Sequence, residues 1–384
     1  MRGVILAACL WAGLAATTTA TARTIHVRPD GHGDSPDLQE AILDAKKGDV
    51  IQLAPGVYRG KGYTNVDLYG MAVTVRGDPE RPGSRVIDCG GEAAGGPGPV
   101  RALLFQQAEG RATVVEGITF RRGWVAGDDV SSASGGLVLC QGASPTFRDC
   151  VFEDGRAYAG GAVGLERSSA DFERCTFTGH SAEIGGAVIV AAGKPVLRDC
   201  TFIGNTAARG GAVYGLLTEM VIVNCRLEAN HAGMGGAIGC EERSLLVLDR
   251  SVVVNNFASY GGGVEIAGSE LEMTHCTIAA NTAGSGGGLL LRGGAHAKVE
   301  HSILALSPKG QGIGGVLEGE LQVSCSLIWG NTDGDWVATA AELADRNGNL
   351  TLDPGFVDPA GGDWRLRQDS PGRLQGCEVL GALP

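Results

Sequence analysis

The sequence predicts an all-β fold, a parallel β-helix solenoid of coils about 25 residues long, with a short N-terminal capping helix and an irregular C-terminal cap. Three observations predict it. Gly pairs recur at Gly135-Gly136, Gly160-Gly161, Gly185-Gly186, Gly210-Gly211 and Gly235-Gly236, then with small slips at Gly261-Gly262, Gly286-Gly287 and Gly314-Gly315. A fixed period of this length marks a stacked repeat. Each pair precedes a short alternating run, such as "AVIVA" from Ala187, which sets Val188 and Val190 on one strand face. A second apolar run follows, as in "PVLRDCTF" from Pro195, and no unit carries a helix-period stretch. The composition agrees, because 63 Gly beside a 43% hydrophobic share argue for tight turns between buried strands rather than disorder.

Taken in order, the chain opens with one basic residue, an apolar run and small residues ending Ala20-Thr21-Ala22, the pattern of an export signal over 1–22. "LAAC" at Leu6–Cys9 is a weaker match to a lipid-attachment box at Cys9. No later stretch is long and apolar enough for a membrane-spanning helix. The expected product is secreted, periplasmic or cell-surface, and monomeric.

The first structured element is "SPDLQEAILDAKKGD". Ser35 is expected as N-cap, Pro36 at the first helical position and Gly48 at the stop, with Leu38, Ala41, Ile42 and Ala45 forming an apolar stripe. The cap and first coil span 23–70, the solenoid 71–332 and the C-terminal cap 333–384. That last part is Pro- and Gly-rich and breaks the period.

Two columns run through the units. Cys150, Cys175, Cys200, Cys225 and Cys276 share a register, with Ser251 and Ser302 in the same slot. Coils stack at strand spacing, roughly 4.8 Å, which suits either bonded rungs or buried thiols; buried thiols are preferred because Cys packs as a small hydrophobe. Cys89, Cys140, Cys240, Cys325 and Cys377 fall outside the column, and spacing does not pair them. The preceding position holds Asp149, Arg174, Asp199, Asn224, Arg250, His275 and His301, which reads as a left-handed corner. Five residues after the Cys slot stand His180, Asn205, Asn230, Asn256, Asn281 and Asn331, expected to bond the backbone of the next coil.

The segments "TIHVRPDGHGDSPDLQEAILDAKKGDVIQLAPGVYRG" and "DPGFVDPAGGDWRLRQDSPG" resemble the start and tail of secreted pectin-lyase-like proteins, which are right-handed parallel β-helices. "FIGN" at Phe202 and "GGAV" at Gly210 resemble the repeats of polymorphic outer-membrane proteins. The resemblance implies export and a right-handed coil. It leaves activity open, because that group mixes lyases, hydrolases, esterases and adhesins.

The formal net charge of −12 argues against nucleic acid and against charge-driven membrane adhesion. It would also repel an acidic glycan unless a local basic patch or a cation intervened. Enzymes on this fold set acids and bases side by side on adjacent coils. The presumed outward column reads Gly164, Ile189, Tyr214, Gly239, Glu265, Leu290 and Leu317, and the next Glu166, Ala191, Leu216, Glu241, Ala267, Arg292 and Gly319. Only Glu241, Glu265 and Arg292, with Glu242 nearby, approach an acidic site with one base. "GDDVSS" at 127–132 resembles the paired-Asp segment of polygalacturonase-like hydrolases, making Asp128 and Asp129 loop candidates beside Arg121, Arg122 and Trp124. The Gly-His-Gly that follows the Asp pair in that family here precedes it, at 31–33. "DRNGN" at Asp345 lacks the closing acid of a calcium loop and reads as a turn. No cofactor is expected, with calcium left open. The favoured function is a scaffold that binds polysaccharide or another extracellular surface without catalysis; the alternatives are a polysaccharide lyase or glycoside hydrolase, or an adhesin-like passenger.

Overall fold

A computed structural model describes residues 22–91, 100–130, 133–315, 318–374 and 377–382. The export signal up to Thr21, Cys9 included, and Leu317 lie outside these residues. No helix among them is long and apolar enough to cross a membrane.

One coil shows the construction. After Gly185-Gly186 the chain runs through strand Val188–Gly193 on the first face and Val196–Arg198 on the second. It turns at Asp199, passes Cys200, and enters Thr201–Ile203 on the third face. Asn205 and a short loop then return it to Gly210-Gly211. The next coil lies parallel and in register, with Val188 beside Val213, Leu197 beside Ile222 and Phe202 beside Leu227. Among the described residues the third face is an 11-stranded sheet. The other two faces join as one 21-stranded sheet, because Val213–Val223 runs unbroken through their corner. Coils therefore outnumber the eight Gly pairs: the early strands Val50–Leu53, Thr74–Arg76 and Val114–Glu116 stack in the same column without one.

Both residues of a Gly pair have a local cause. Gly185 sits at φ +63, and a Cβ on Gly186 would lie 2.0 Å from the Gly211 carbonyl oxygen of the next coil. The corner column is left-handed as expected, from Asp149 at φ 50 through Asp199 at 54 to His301 at 50, and Cys325 continues it at 44.

In-register stacking puts like on like. Phe152, Phe177 and Phe202 stack with ring centroids 4.8 and 4.6 Å apart and planes within 4°. The Cys column is a line of buried free thiols, with the Cys225 N–H donating to Ser251 and the Cys276 N–H to Ser302. Burial pushes the Cys276 thiol up to about 12. The Asn column is a buried ladder: the Asn205 N–H donates to Asn230 Oδ1 at 3.0 Å and the Asn230 N–H to Asn256 Oδ1 at 2.9 Å. Each Nδ2 also donates to a carbonyl of the preceding coil, Asn205 to Phe177 and Asn230 to Phe202. His180 fills the same role, accepting from the Gly155 N–H at Nδ1 and donating from Nε2 to the Phe152 carbonyl.

The N-terminal helix, α1, spans Leu38–Asp44 and buries Leu38, Ala41 and Ile42 against the first coil. Its cap differs from expectation. Asp37, not Ser35, accepts from the Glu40 N–H, and Ser35 instead donates to the Asp37 carbonyl. Pro36 thus precedes the helix, and Gly48 lies beyond its C-cap at Ala45. At the other end Trp336 and Leu343 pack against the core. The chain beyond runs back along the outside of the third face, where Phe356, Trp364, Leu366 and Leu380 cover Val252, Val254, Ala279 and Ile303. A Cys325–Cys377 disulfide fastens this tail to the corner column.

Candidate functional site

The first-face column read as outward is not exposed. Ile189, Tyr214, Glu265 and Leu290 are all buried, because the connecting loops fold over that face. Gly135, Ile184 and their equivalents make this cover; Ile184 packs on Ile189 and Tyr214 with Ala159. Sequence alternation gives the side of the strand but not what a loop lays over it.

Beneath this cover lies Glu265, while its neighbours Glu241 and Arg292, with side chains 17% and 42% exposed, reach solvent. Register places Glu241, Ala267 and Arg292 in one column and Gly239 beside Glu265. Arg292 Nε donates to Glu265, while its Nη2 passes over the small Ala267 to reach Glu241 Oε1 at 2.9 Å. Arg209 approaches the other Glu241 oxygen at 3.7 Å and donates to the Tyr214 hydroxyl at 3.4 Å. The Glu265 side chain is 0% exposed and its Oε2 has no hydrogen-bond partner. Burial raises its pKa against the opposing pull of Arg292. A carboxyl raised in pKa beside a second carboxyl is the arrangement of an acid–base pair. Here, however, Arg292 bridges the two carboxylates and Glu265 has no open side toward solvent, so the group acts as a brace between coils.

Asp128 and Asp129 stand exposed on the insertion. Trp124 to Ser134 takes ten residues where the next coil needs three, from Arg156 to Ala159. Val130 anchors this longer loop on the Ile184–Tyr214 cluster, and the Asp129 carbonyl accepts from the Ala133 N–H. The two candidate groups, the Asp pair and the Glu241/Glu265 brace, stand on different coils and do not form one site.

The insertion does border a cleft that the sequence only hinted at. Asp88, its side chain 0% exposed, is ringed by three guanidinium groups. Arg122 donates to both of its oxygens, at 2.8 and 2.7 Å, and Arg59 and Arg121 each reach Oδ2. Burial alone would raise the Asp88 carboxyl, but these bonds and the Gly90 N–H hold it down at about 2. Three cations on one anion leave a local surplus of positive charge. Beside them opens a cleft of about 370 Å3 lined by Arg122, Trp124, Asp154 and Arg156 with several Gly. Register explains the assembly: Asp88 lies opposite Arg121 on the third face, and Trp124 bridges Arg156 in the loop column. Among the described residues Arg156 makes no ion pair and is exposed. Arg121, Arg122 and Trp124 were visible in sequence as neighbours of the insertion. Arg59 and Asp88 come from the early, Gly-poor coils, whose count alone would have aligned them, while Arg156 comes from the next coil, in the regular register four residues before Gly160.

Residues 130–304 match the family described as Right handed beta helix region. No curated protein matches. Two solved structures are similar. One is pectate lyase Pel9A, at 14% identity and a TM-score of 0.39, over 95% of this chain and 96% of that one. The other is the bacteriophage CBA120 tailspike protein 3, at 12% identity and 0.39, over 82% of this chain. The chain spans 57% of the tailspike's length. The in-register coils, the three faces and the family match over 130–304 show a right-handed parallel β-helix fold, as the resemblance to pectin-lyase-like sequences implied.

Proposed function

We propose that this protein is a secreted or surface-held β-helix that binds an acidic extracellular polysaccharide without cleaving it. The observation that carries the reading is the Arg122–Trp124–Arg156 cleft beside the three-arginine ring of Asp88. A chain of net charge −12 repels polyanions over most of its surface. The cleft supplies a local basic patch, with an aromatic ring against which an apolar sugar face can lie. Of the two carboxylates that resemble an acid–base pair, Glu265 is sealed under the loops and Arg292 bridges it to Glu241, which favours binding over turnover.

The test is affinity electrophoresis in gels containing polygalacturonate, dextran sulfate or uncharged dextran. The wild type is expected to be retarded by an acidic polymer and, as salt rises, progressively released. Arg122→Ala with Arg156→Ala should weaken the retardation about tenfold. New reducing ends or unsaturated uronate, abolished by Asp129→Ala or Glu265→Ala, would overturn the non-catalytic reading.

A further inference from the structure

Of the nine Phe in the chain, eight are buried to 4% exposure or less, and Phe257 alone stands 46% exposed. Tyr260, three residues on, is 54% exposed. Both ride on the connecting loop of one coil. On the next coil Thr282 lies beside Phe257 and Ser285 beside Tyr260. That loop reads Thr282-Ala283-Gly284-Ser285, so a step of aromatic side chains is followed by a step of small ones. One coil further, Lys309 enters the Phe257–Thr282 column. The difference in side-chain size leaves a notch of about 310 Å3 between Phe257, Ser259, Tyr260, Thr282 and Lys309, floored by Ala283.

The aromatic wall is held in place. His231 stacks on Phe257 from the preceding coil, ring centroids 4.8 Å apart and planes 7° from parallel. One face of Phe257 is thereby covered, and the other turns toward Thr282 and the notch. An extended apolar peptide would need a continuous greasy floor, whereas this lining alternates ring faces with hydroxyls and ends in an ammonium. A pyranose has the complementary surface: an apolar C–H face, a rim of hydroxyls, and in acidic glycans one charged substituent. The distance from Phe257 to Lys309 is two coil steps, roughly 10 Å at strand spacing, which admits one sugar ring with its substituent.

We propose that this notch is a second glycan site, taking one pyranose ring on Phe257 and Tyr260 with an acidic substituent on Lys309. The class of ligand rests on the proposed polysaccharide reading; the position does not. The experiment compares wild type, Phe257→Ala/Tyr260→Ala, Lys309→Gln and Arg122→Ala/Arg156→Ala in polygalacturonate and dextran gels. Phe257, Tyr260 and Lys309 are exposed, so melting temperatures of their variants should stay within about 2 °C of wild type. Arg122→Ala removes a partner of buried Asp88, so the arginine double variant is compared at a temperature where its circular dichroism is that of the folded protein. The aromatic double variant should lose retardation about tenfold, and Lys309→Gln should lose the preference for polygalacturonate over dextran. In fluorotyrosine-labelled protein, digalacturonate should move the 19F resonance of Tyr260, assigned by Tyr260→Phe. If the aromatic double variant is retarded like wild type and that resonance stays still, the notch proposal is wrong. Loss of retardation only in the arginine double variant would leave the first cleft standing and remove the notch. Loss only in the aromatic variant would do the reverse, and an unretarded wild type would overturn both.

Discussion

Arg292 holds Glu241 at 2.9 Å from two coils away, reaching across Ala267 while its Nε stays on the buried Glu265. Cross-coil bracing of this kind fixes stacking order, and it also leaves a titratable carboxyl inside the fold.

Glu265 offers the first prediction. Its folded pKa is raised, chiefly by burial. The stability it contributes is therefore fully present below its unfolded value near 4.3 and lost as pH rises through the folded value. Glu265→Gln removes this titration. Melting curves across pH 4 to 8 should show the variant gaining on wild type at the upper end. A constant offset would show that Glu265 ionises as if exposed.

His180 titrates in the opposite sense. Burial lowers its pKa to about 4 despite bonds from Gly155 and to Phe152. The unfolded chain binds the extra proton below about 6.5, so stability is lost as pH falls from there through 4. The shift corresponds to ~3 kcal/mol. His180→Asn, the residue its neighbours use, should keep the ladder and abolish this loss in denaturant titrations at pH 7 and pH 4.5. Retained acid sensitivity would place its cause elsewhere.

Asp88 is the shared counter-ion of Arg59, Arg121 and Arg122. Asp88→Asn leaves three cations facing one another and should cost about 3 kcal/mol, as for a broken buried pair. Its depressed pKa makes the contribution present above about 4 and lost as pH falls through 2. Urea titration measures the cost, and a change below about 1 kcal/mol would mean that solvent already screens the ring.

The tail gives a prediction in redox terms. Cys325–Cys377 closes a separation of 52 residues, for which the chain-entropy model expects about 4 kcal/mol. Reduction should loosen 353–382 from Val252, Ala279 and Ile303 while the coils stay intact. Limited proteolysis with and without dithiothreitol, followed by intact mass, checks this; unchanged cleavage would show that packing alone holds the tail.

The repeat was legible because in-register coils write every structural demand at the same sequence offset. The corner column from Asp149 to His301, the Asn ladder and the thiol stack all follow from that regularity. Where coils lack the Gly pair, the reading thinned, and with it the alignment that brings Asp88 to Arg59 and Arg121. Ser35 before Pro36 carries the pattern of an N-cap, yet Asp37 is the residue within reach of the Glu40 N–H. Period-two alternation placed Glu265 on the outer side of its strand, but burial there depends on a loop folding back, which no periodicity records. The path of the tail was unreadable for a similar reason. Phe356 and Trp364 meet Ile303 only after the chain has reversed direction.

The register has a consequence for the length of the molecule. Thr176 lies directly beside Thr201, and Val188 beside Val213. Excising 176–200 would join Cys175 to Thr201, set Phe202 beside Phe152 and keep the inward-facing columns in register. The chain is thus divisible in whole turns, like a spring cut between windings, and reach can be gained or shed in heredity without redesigning either end. A cut that is not a whole number of turns would shift every column off its partners and break the spring.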